Sequence, residues 1–349
     1  MVNFFINIIY NIDGDFMNSW FKGKYGIMIH FGLYSTFGGE YKGEKSSNYA
    51  EWIQSYFRIS NKEMEKIATT FNPVDFDAEE VVKFASDNGF SYIVFVTKHH
   101  DGFAMFNSSC DNYNLYFYNK RDILKELSEA CAKYNIKLGI YYSQDLDWHE
   151  NNGGGFTKPV VNCAGTSWCN NWDFDNSNKN FDEYFYKKSL PQIKEIMTKY
   201  NEISVAWFDI PFTLSKKQSK EIYDLVKQYQ PNCLINSRIG NGEYDYVSFG
   251  DNEVPNSIEE LQTITSTDND IDGVKVSHNG LYEVCSTLTQ SWGYTKFPRW
   301  KDVTKLQNIV KKVDELGINL LVNIAPDGTG KIDEQTKYLI KEMMKVKRK

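Results

Sequence analysis

Short apolar runs rich in Val, Ile, Phe and Tyr alternate along the chain with segments whose apolar residues recur at helical spacing. Eight of the runs read as strands, at residues 25–35, 91–100, 136–143, 203–209, 233–238, 247–251, 282–288 and 318–324. Segments 77–88, 122–134, 181–200, 216–229 and 303–316 read as helices, and 257–272 as a shorter one. Asp77 and Asp122 stand where N-caps belong, and Gly89 and Gly317 where C-caps belong. Strands that alternate with helices build a parallel sheet. Eight such units predict a single α/β domain of the (β/α)8 barrel type, with a doubly wound sheet as the structural rival. The chain has no internal repeat and no Pro/Gly/Ser-rich linker. Residues 17–349 are therefore read as one barrel domain, preceded by an N-terminal extension at 1–16. The Asn/Gly-rich stretch 151–180 reads as one long βα loop, the kind that carries function in barrels.

Composition narrows the partners. The net charge of −7 argues against nucleic acid, whose phosphates demand clustered Lys and Arg. The one basic run, 345–349, reads as a solvated helix end. The apolar start of the chain lacks a basic flank and a small-residue cleavage site, and its run of about ten residues is too short to span a membrane. No membrane partner is expected, and a cytoplasmic location is. Cysteines at 110, 131, 163, 169, 233 and 285 show no CxxC spacing. Cys131, Cys233 and Cys285 fall in apolar segments as small buried hydrophobes, while Cys163 and Cys169 share a loop short enough for a pairing. Aromatic residues make up 15% of the chain, more than a core needs, and their flat faces suit stacking on sugars.

In a barrel the C-terminal strand ends converge on one pocket. His30 follows the apolar residues 26–29 of the first run, and His99 and His100 follow 93–98 of the second. Tyr141 and Tyr142 close the third, Trp207 and Asp209 the fourth, Arg238 the fifth and Asp251 the sixth; Glu283 lies in the seventh, with Trp292 just beyond. Three of the five His in the chain therefore fall at equivalent positions, which favours a shared pocket over isolated core histidines. Asp209 ends the apolar run ISVAWF, so a buried carboxylate stands at a strand terminus, kept ionised by neighbouring His and Arg238 and able to attack an anomeric carbon. Retention at that carbon needs a second carboxyl about 5–5.5 Å away, and Asp251, Glu253, Glu283 and Glu51 are the candidates. Adjacent strand residues face opposite ways, so His99 and His100 are not expected to hold one ion together, and no HxH, HExxH or Cys cluster completes a metal shell. No metal and no cofactor are predicted.

The segments YGIMIHFGLYS, AEWIQSYF, NPVDFDAEEVVKFASDNGFSYIVFVTKHHDGFAMF, KLGIYYSQDLDW, VAWFD, SWGY and INLLVNIAPDGTG run in order over nearly the whole barrel. Together they resemble the α-L-fucosidases of glycoside hydrolase family 29. The resemblance implies a retaining, metal-free double displacement on α-linked L-fucose in a fucosylated oligosaccharide or glycoconjugate. It maps the nucleophile onto Asp209 and the fucose-binding histidines onto His30, His99 and His100. The third-strand Tyr maps onto Tyr142, the Trp before the nucleophile onto Trp207, the fifth-strand Arg onto Arg238, and a Glu–Trp pair onto Glu51 and Trp52; Trp292, in SWGY, joins them at the substrate. For the acid/base the family offers two places. One is a window that here holds Asp251 and Glu253, the other is the region of Glu283, and Asp251 is preferred. Ile210 and Pro211 stand where members often carry Gly, a change expected to alter the local turn. The β-sandwich that follows the barrel in many members is not expected here. The rivals are a retaining glycosidase for another galacto-configured or 6-deoxy sugar, and a fucose-binding barrel without catalysis, whose mark would be a missing nucleophile. Nothing in the sequence sets the oligomeric state.

Overall fold

The eight apolar runs form eight strands: β1 Tyr25–Ile29, β2 Tyr92–Lys98, β3 Lys137–Tyr142, β4 Ile203–Phe208, β5 Leu234–Ile235, β6 Val247–Ser248, β7 Tyr282–Ser286 and β8 Asn319–Ile324. A computed structural model describes residues 20–46, 48–157, 165–261 and 280–347. The proposed extension at 1–16, Cys163 and the 262–272 part of the expected short helix lie outside those residues; Ile258–Leu261 is helical. All the strands pair in parallel, in the order β5-β4-β3-β2-β1-β8-β7-β6. The two ends of that order meet through a parallel bridge between Asn236 and Tyr246, which closes the sheet on itself. A doubly wound sheet has two free edges, so the closure decides for the barrel.

The strands are buried along nearly their whole length, as a parallel sheet covered on both faces must be. Alternation sorts their side chains. Met28, Val94, Tyr141, Val205, Trp207 and Leu321 meet inside the barrel. Ile27, Phe95, Ile140, Tyr142, Phe208 and Val322 face the surrounding helices instead. The polar strand ends that line the pocket are continuations of the inward set.

Local signals placed most helix ends. Asp77 accepts from Glu80 N–H at 2.9 Å ahead of helix Ala78–Asp87, and Asp122 from Lys125 N–H at 2.9 Å ahead of Ile123–Tyr134. Gly317 ends Val303–Leu316 at φ 65°, a left-handed cap that glycine adopts without strain. The expected helix at 181–200 is interrupted by a π turn at Phe185–Ser189, immediately before Leu190–Lys199. Pro191 lies near the start of that second segment, has no N–H and would clash with a regular preceding turn, so the wider turn accommodates it. Among the described residues no helix is long and apolar enough to cross a membrane.

Candidate active site

Asp209 follows β4, and because Trp207 faces the barrel interior, alternation turns Asp209 the same way. Its Oδ2 accepts from Tyr141 Oη–H at 2.9 Å and its Oδ1 from Arg238 Nη1 at 3.1 Å, while its own N–H donates to Gln144 Oε1 at 2.9 Å. Burial pushes this carboxyl up to about 6, against the opposing pull of Arg238 and with a further upward push from Asp251. It is therefore ionised at neutral pH and basic enough to bond to carbon.

The turn after it is the one where a change was expected. Ile210 takes φ 53°, the left-handed region that costs a β-branched residue about 1–2 kcal/mol and glycine almost nothing. The conformation is held from outside: Thr213 and Leu214 N–H both donate to the buried Asp145 Oδ2, at 2.5 and 2.9 Å. The Ile210 side chain also packs with Trp52, Leu146 and Trp148. The left-handed turn is thus held without glycine.

One assignment has to be corrected. Tyr142 is not in the pocket: its hydroxyl donates to Gln192 Oε1 at 2.8 Å on the helix behind the sheet. Tyr141, one position earlier and facing inward, bonds the carboxylate instead. It also begins an aromatic stack across the pocket floor, with His99 at 5.5 Å and 7° on one side and Trp207 at 5.5 Å and 18° on the other. The Arg238 guanidinium lies 4.8 Å over the Trp207 ring.

The three histidines do converge. His30 lies 5.7 Å from His99, and the rings of His99 and His100 are 4.1 Å apart, both in the pocket. The expectation of opposite faces fails because β2 ends at Lys98, after a register shift between Val96 and Lys98, so strict alternation no longer governs positions 99 and 100. Burial holds His30 down to about 4 and His99 and His100 well below the usual imidazole value, so all three are neutral at neutral pH.

Their neighbours fix two tautomers. Asn323 Nδ2 donates to Trp292 O at 2.7 Å, which leaves Asn323 Oδ1 as the acceptor facing His30 Nδ1 at 2.6 Å. His30 Nδ1 therefore carries the proton and Nε2 a lone pair. Ser143 donates to Leu146 O at 2.8 Å and so accepts from His100 Nδ1 at 2.7 Å. His100 Nε2 then faces Asp209 Oδ2 across 3.9 Å as a second acceptor. Two acceptors at that separation suit a shared hydroxyl donor. His99 Nδ1 is buried without a partner.

Arg238 connects the two carboxylates. Its Nη2 donates to Asp251 Oδ1 at 2.9 Å and to Phe249 O at 2.8 Å, beside the Nη1 bond to Asp209. Trp292 Nε1–H donates to Asp251 Oδ2 at 3.0 Å, and its ring lies 5.3 Å from His30. The Asp251 side chain keeps 30% of its surface exposed, against 12% for Asp209. Glu51 completes the wall: Oε2 accepts from Gly293 N–H at 2.7 Å and Ser291 Oγ–H at 3.2 Å, while Oε1 is buried without a partner. Burial raises this carboxyl to about 7. Trp52 stands edge-on to His100 at 5.0 Å.

Glu283 and Glu253 are elsewhere. Glu283 lies fully buried near the start of β7, under the aromatic stack; its Oε1 accepts from Trp207 Nε1–H at 3.0 Å and Oε2 from Tyr92 Oη–H at 2.6 Å. Glu253 is exposed and folds back against Gly250. Of the four candidate partners for Asp209, only Asp251 shares a hydrogen-bonding residue with it. Gln144, Ser143 and Asn323 are the supporting residues that sequence reasoning did not single out, although all three lie in the segments that carried the family resemblance; Tyr141 was named only as a strand end. Among the described residues no group of three or more His, Cys, Asp and Glu is arranged to hold a metal ion.

The state of Glu283 can be read from stability. Burial raises its folded-state value from 4.5 to about 7, so the folded protein keeps this proton after the unfolded chain has lost it. The resulting stabilisation is complete below pH 4.5 and is lost as pH rises through about 7, on the order of 3 kcal/mol in all. Glu283→Gln should therefore gain on the native protein by that amount between pH 4.5 and pH 8 in paired chemical-denaturation curves. A difference that stays constant with pH would mean that Glu283 is ionised in the fold. Contributions of the neutral histidines, which run the opposite way with pH, cancel in this comparison.

Comparison with known proteins follows the same lines. A family model described as alpha-L-fucosidase matches residues 9–346. The unliganded α-L-fucosidase AlfC from Lactobacillus casei is 48% identical at a TM-score of 0.86, over 95% of this chain and 98% of its own. The same enzyme in complex with α-L-fucose product gives 49% identity and a TM-score of 0.84, over 93% and 95% of the two chains. Plasma alpha-L-fucosidase of Pongo abelii is 26% identical over 358 residues, which cover 91% of this chain and 66% of that protein. The chain spans about two thirds of the length of the curated relatives it matches.

Proposed function

The chain belongs to the α-L-fucosidase family, and from that premise we propose that it is a retaining α-L-fucosidase that releases terminal α-linked L-fucose from glycans. The observation that carries this reading is the pair of carboxylates, Asp209 and Asp251, on the two terminal nitrogens of Arg238 at the mouth of a barrel, ringed by three neutral histidines.

Asp209 Oδ attacks C1 of the fucosyl group as the bond to the leaving oxygen breaks, and Asp251, in its protonated form for this step, gives that oxygen its proton. The product of this step is a fucosyl ester on Asp209. Asp251, now ionised, takes a proton from water; the water oxygen attacks C1, and Asp209 leaves as carboxylate. Two inversions restore the original configuration. Tyr141 and Arg238 hold the nucleophile's two oxygens, so the attacking lone pair starts in place.

Substrate binding falls to His30, His99, His100, Glu51, Trp52, Trp207, Arg238 and Trp292. A sugar hydroxyl that donates fits between His100 Nε2 and Asp209 Oδ2, and another suits His30 Nε2. The unpartnered Glu51 Oε1 and His99 Nδ1 are further buried positions for hydroxyl contacts. The flat face of Trp292 suits the apolar side of a 6-deoxy sugar. A variant of AlfC has been solved with Fucα(1,6)GlcNAc, which supports a glycan leaving group for this chain too. Among the described residues Cys110, Cys131, Cys233 and Cys285 are free thiols, in keeping with a reducing, intracellular setting.

The test is the anomer formed first. With an aryl α-L-fucoside the initial product seen by proton NMR should be α-L-fucose, before mutarotation, and turnover should survive exhaustive chelation. A first product in the β form would exclude retention. Faster turnover of aryl glycosides with another galacto-configured sugar would move the substrate class.

A further inference from the structure

Asp251 stands on a turn, not on a strand, so something must hold the turn in register with Asp209. The next residue, Asn252, takes φ 62°, a left-handed conformation that Asn tolerates. Its N–H donates to Cys285 O at 3.0 Å. Its side-chain oxygen has two close donors, Thr287 N–H at 2.9 Å and Lys301 Nζ at 2.5 Å, with the Ser286 hydroxyl beyond them at 3.3 Å. The Thr287 hydroxyl is not a third, because its single proton goes to Thr289 O at 2.6 Å.

Lys301 is the centre of this arrangement. Its three ammonium protons meet three oxygens: Asn252 Oδ1, Ser286 Oγ at 3.1 Å and Thr287 Oγ1 at 3.3 Å. Its backbone N–H donates to Leu288 O at 2.8 Å, which ties the segment before helix Val303–Leu316 to the end of β7. All three oxygens are uncharged, although an ammonium on a half-buried stem would gain more from a carboxylate. The cation is spent on orienting a turn.

We propose that Lys301 is a positioning residue for the acid/base: through Asn252 it fixes the turn that aims Asp251 at Arg238, Trp292 and the leaving oxygen. It touches neither the sugar nor Asp251. This rests on the fucosidase reading and deepens it, since it assigns to a residue outside the pocket control over the proton transfers of both half-reactions.

The experiment separates acid/base alignment from general integrity. Formation of the fucosyl ester from 2,4-dinitrophenyl 2-deoxy-2-fluoro-α-L-fucoside needs Asp209 and little protonation of the leaving group. Cleavage of a fucosyl disaccharide needs Asp251 in place. For Lys301→Met, the burst of dinitrophenolate should stay within about twofold of native, while kcat/KM for the disaccharide should fall by about tenfold or more. Lys301→Arg, which keeps charge and donors, should recover part of the loss. Equal losses on both substrates, or no loss on the disaccharide, overturn the proposal. A native protein with neither burst nor turnover overturns the fucosidase reading itself, which a variant-specific result does not touch.

Discussion

Asp209→Asn is expected to lower turnover of an aryl α-L-fucoside by about 10³-fold or more while the protein still folds. The amide oxygen can keep the contact with Arg238 Nη1, and Arg238 retains Asp251, so no buried cation is left unpaired. What disappears is the lone pair that forms the ester. Asp209→Ala extends the test by opening space beside C1 on the nucleophile's side. Azide entering that space attacks once, with inversion, and the product should be β-L-fucosyl azide. Near-native activity, or an azide of retained configuration, would remove Asp209 from its role.

Asp251→Ala should give the complementary pattern. Loss of the general acid should slow fucosyl disaccharides by about 10²–10⁴-fold, and activated phenyl fucosides far less in their first step. Azide, which needs no general base, should restore the second step and give α-L-fucosyl azide. Glu283→Ala should show neither behaviour, since Glu283 lies under Trp207 with both oxygens already engaged by Tyr92 and Trp207. If Glu283→Ala shows both behaviours and Asp251→Ala neither, the two assignments exchange.

The sequence carried the strands, their parallel order and the convergence of His30, His99, His100, Asp209, Arg238 and Asp251 because those follow from apolar runs and from where each run stops. It did not carry the choice between Tyr141 and Tyr142. Both faces of a parallel strand are buried, so two adjacent tyrosines look alike until a neighbouring strand sets the inward face. His99 and His100 were placed on opposite faces by a rule that holds only inside a strand, and β2 ends one residue too early for it. The tautomers set by Ser143 and Asn323, and the grip of Lys301 on Asn252, join residues far apart in the chain. No local pattern reports them; only the closed barrel brings the partners together.

The barrel is closed unevenly, and that bears on how such enzymes diversify. β2, β3 and β4 share long ladders, whereas β5 and β6 are two residues each and meet through the single bridge Asn236–Tyr246. Asp209 follows β4 from the well-knit half, so its place is set by the sheet itself. Asp251 hangs beyond the weak seam on a turn tied to β7 by the backbone bond from Asn252 N–H to Cys285 O and by the side chains of Asn252, Thr287 and Lys301. Lineages can rebuild that turn, or move its carboxyl to another loop, without disturbing the strands that hold Asp209.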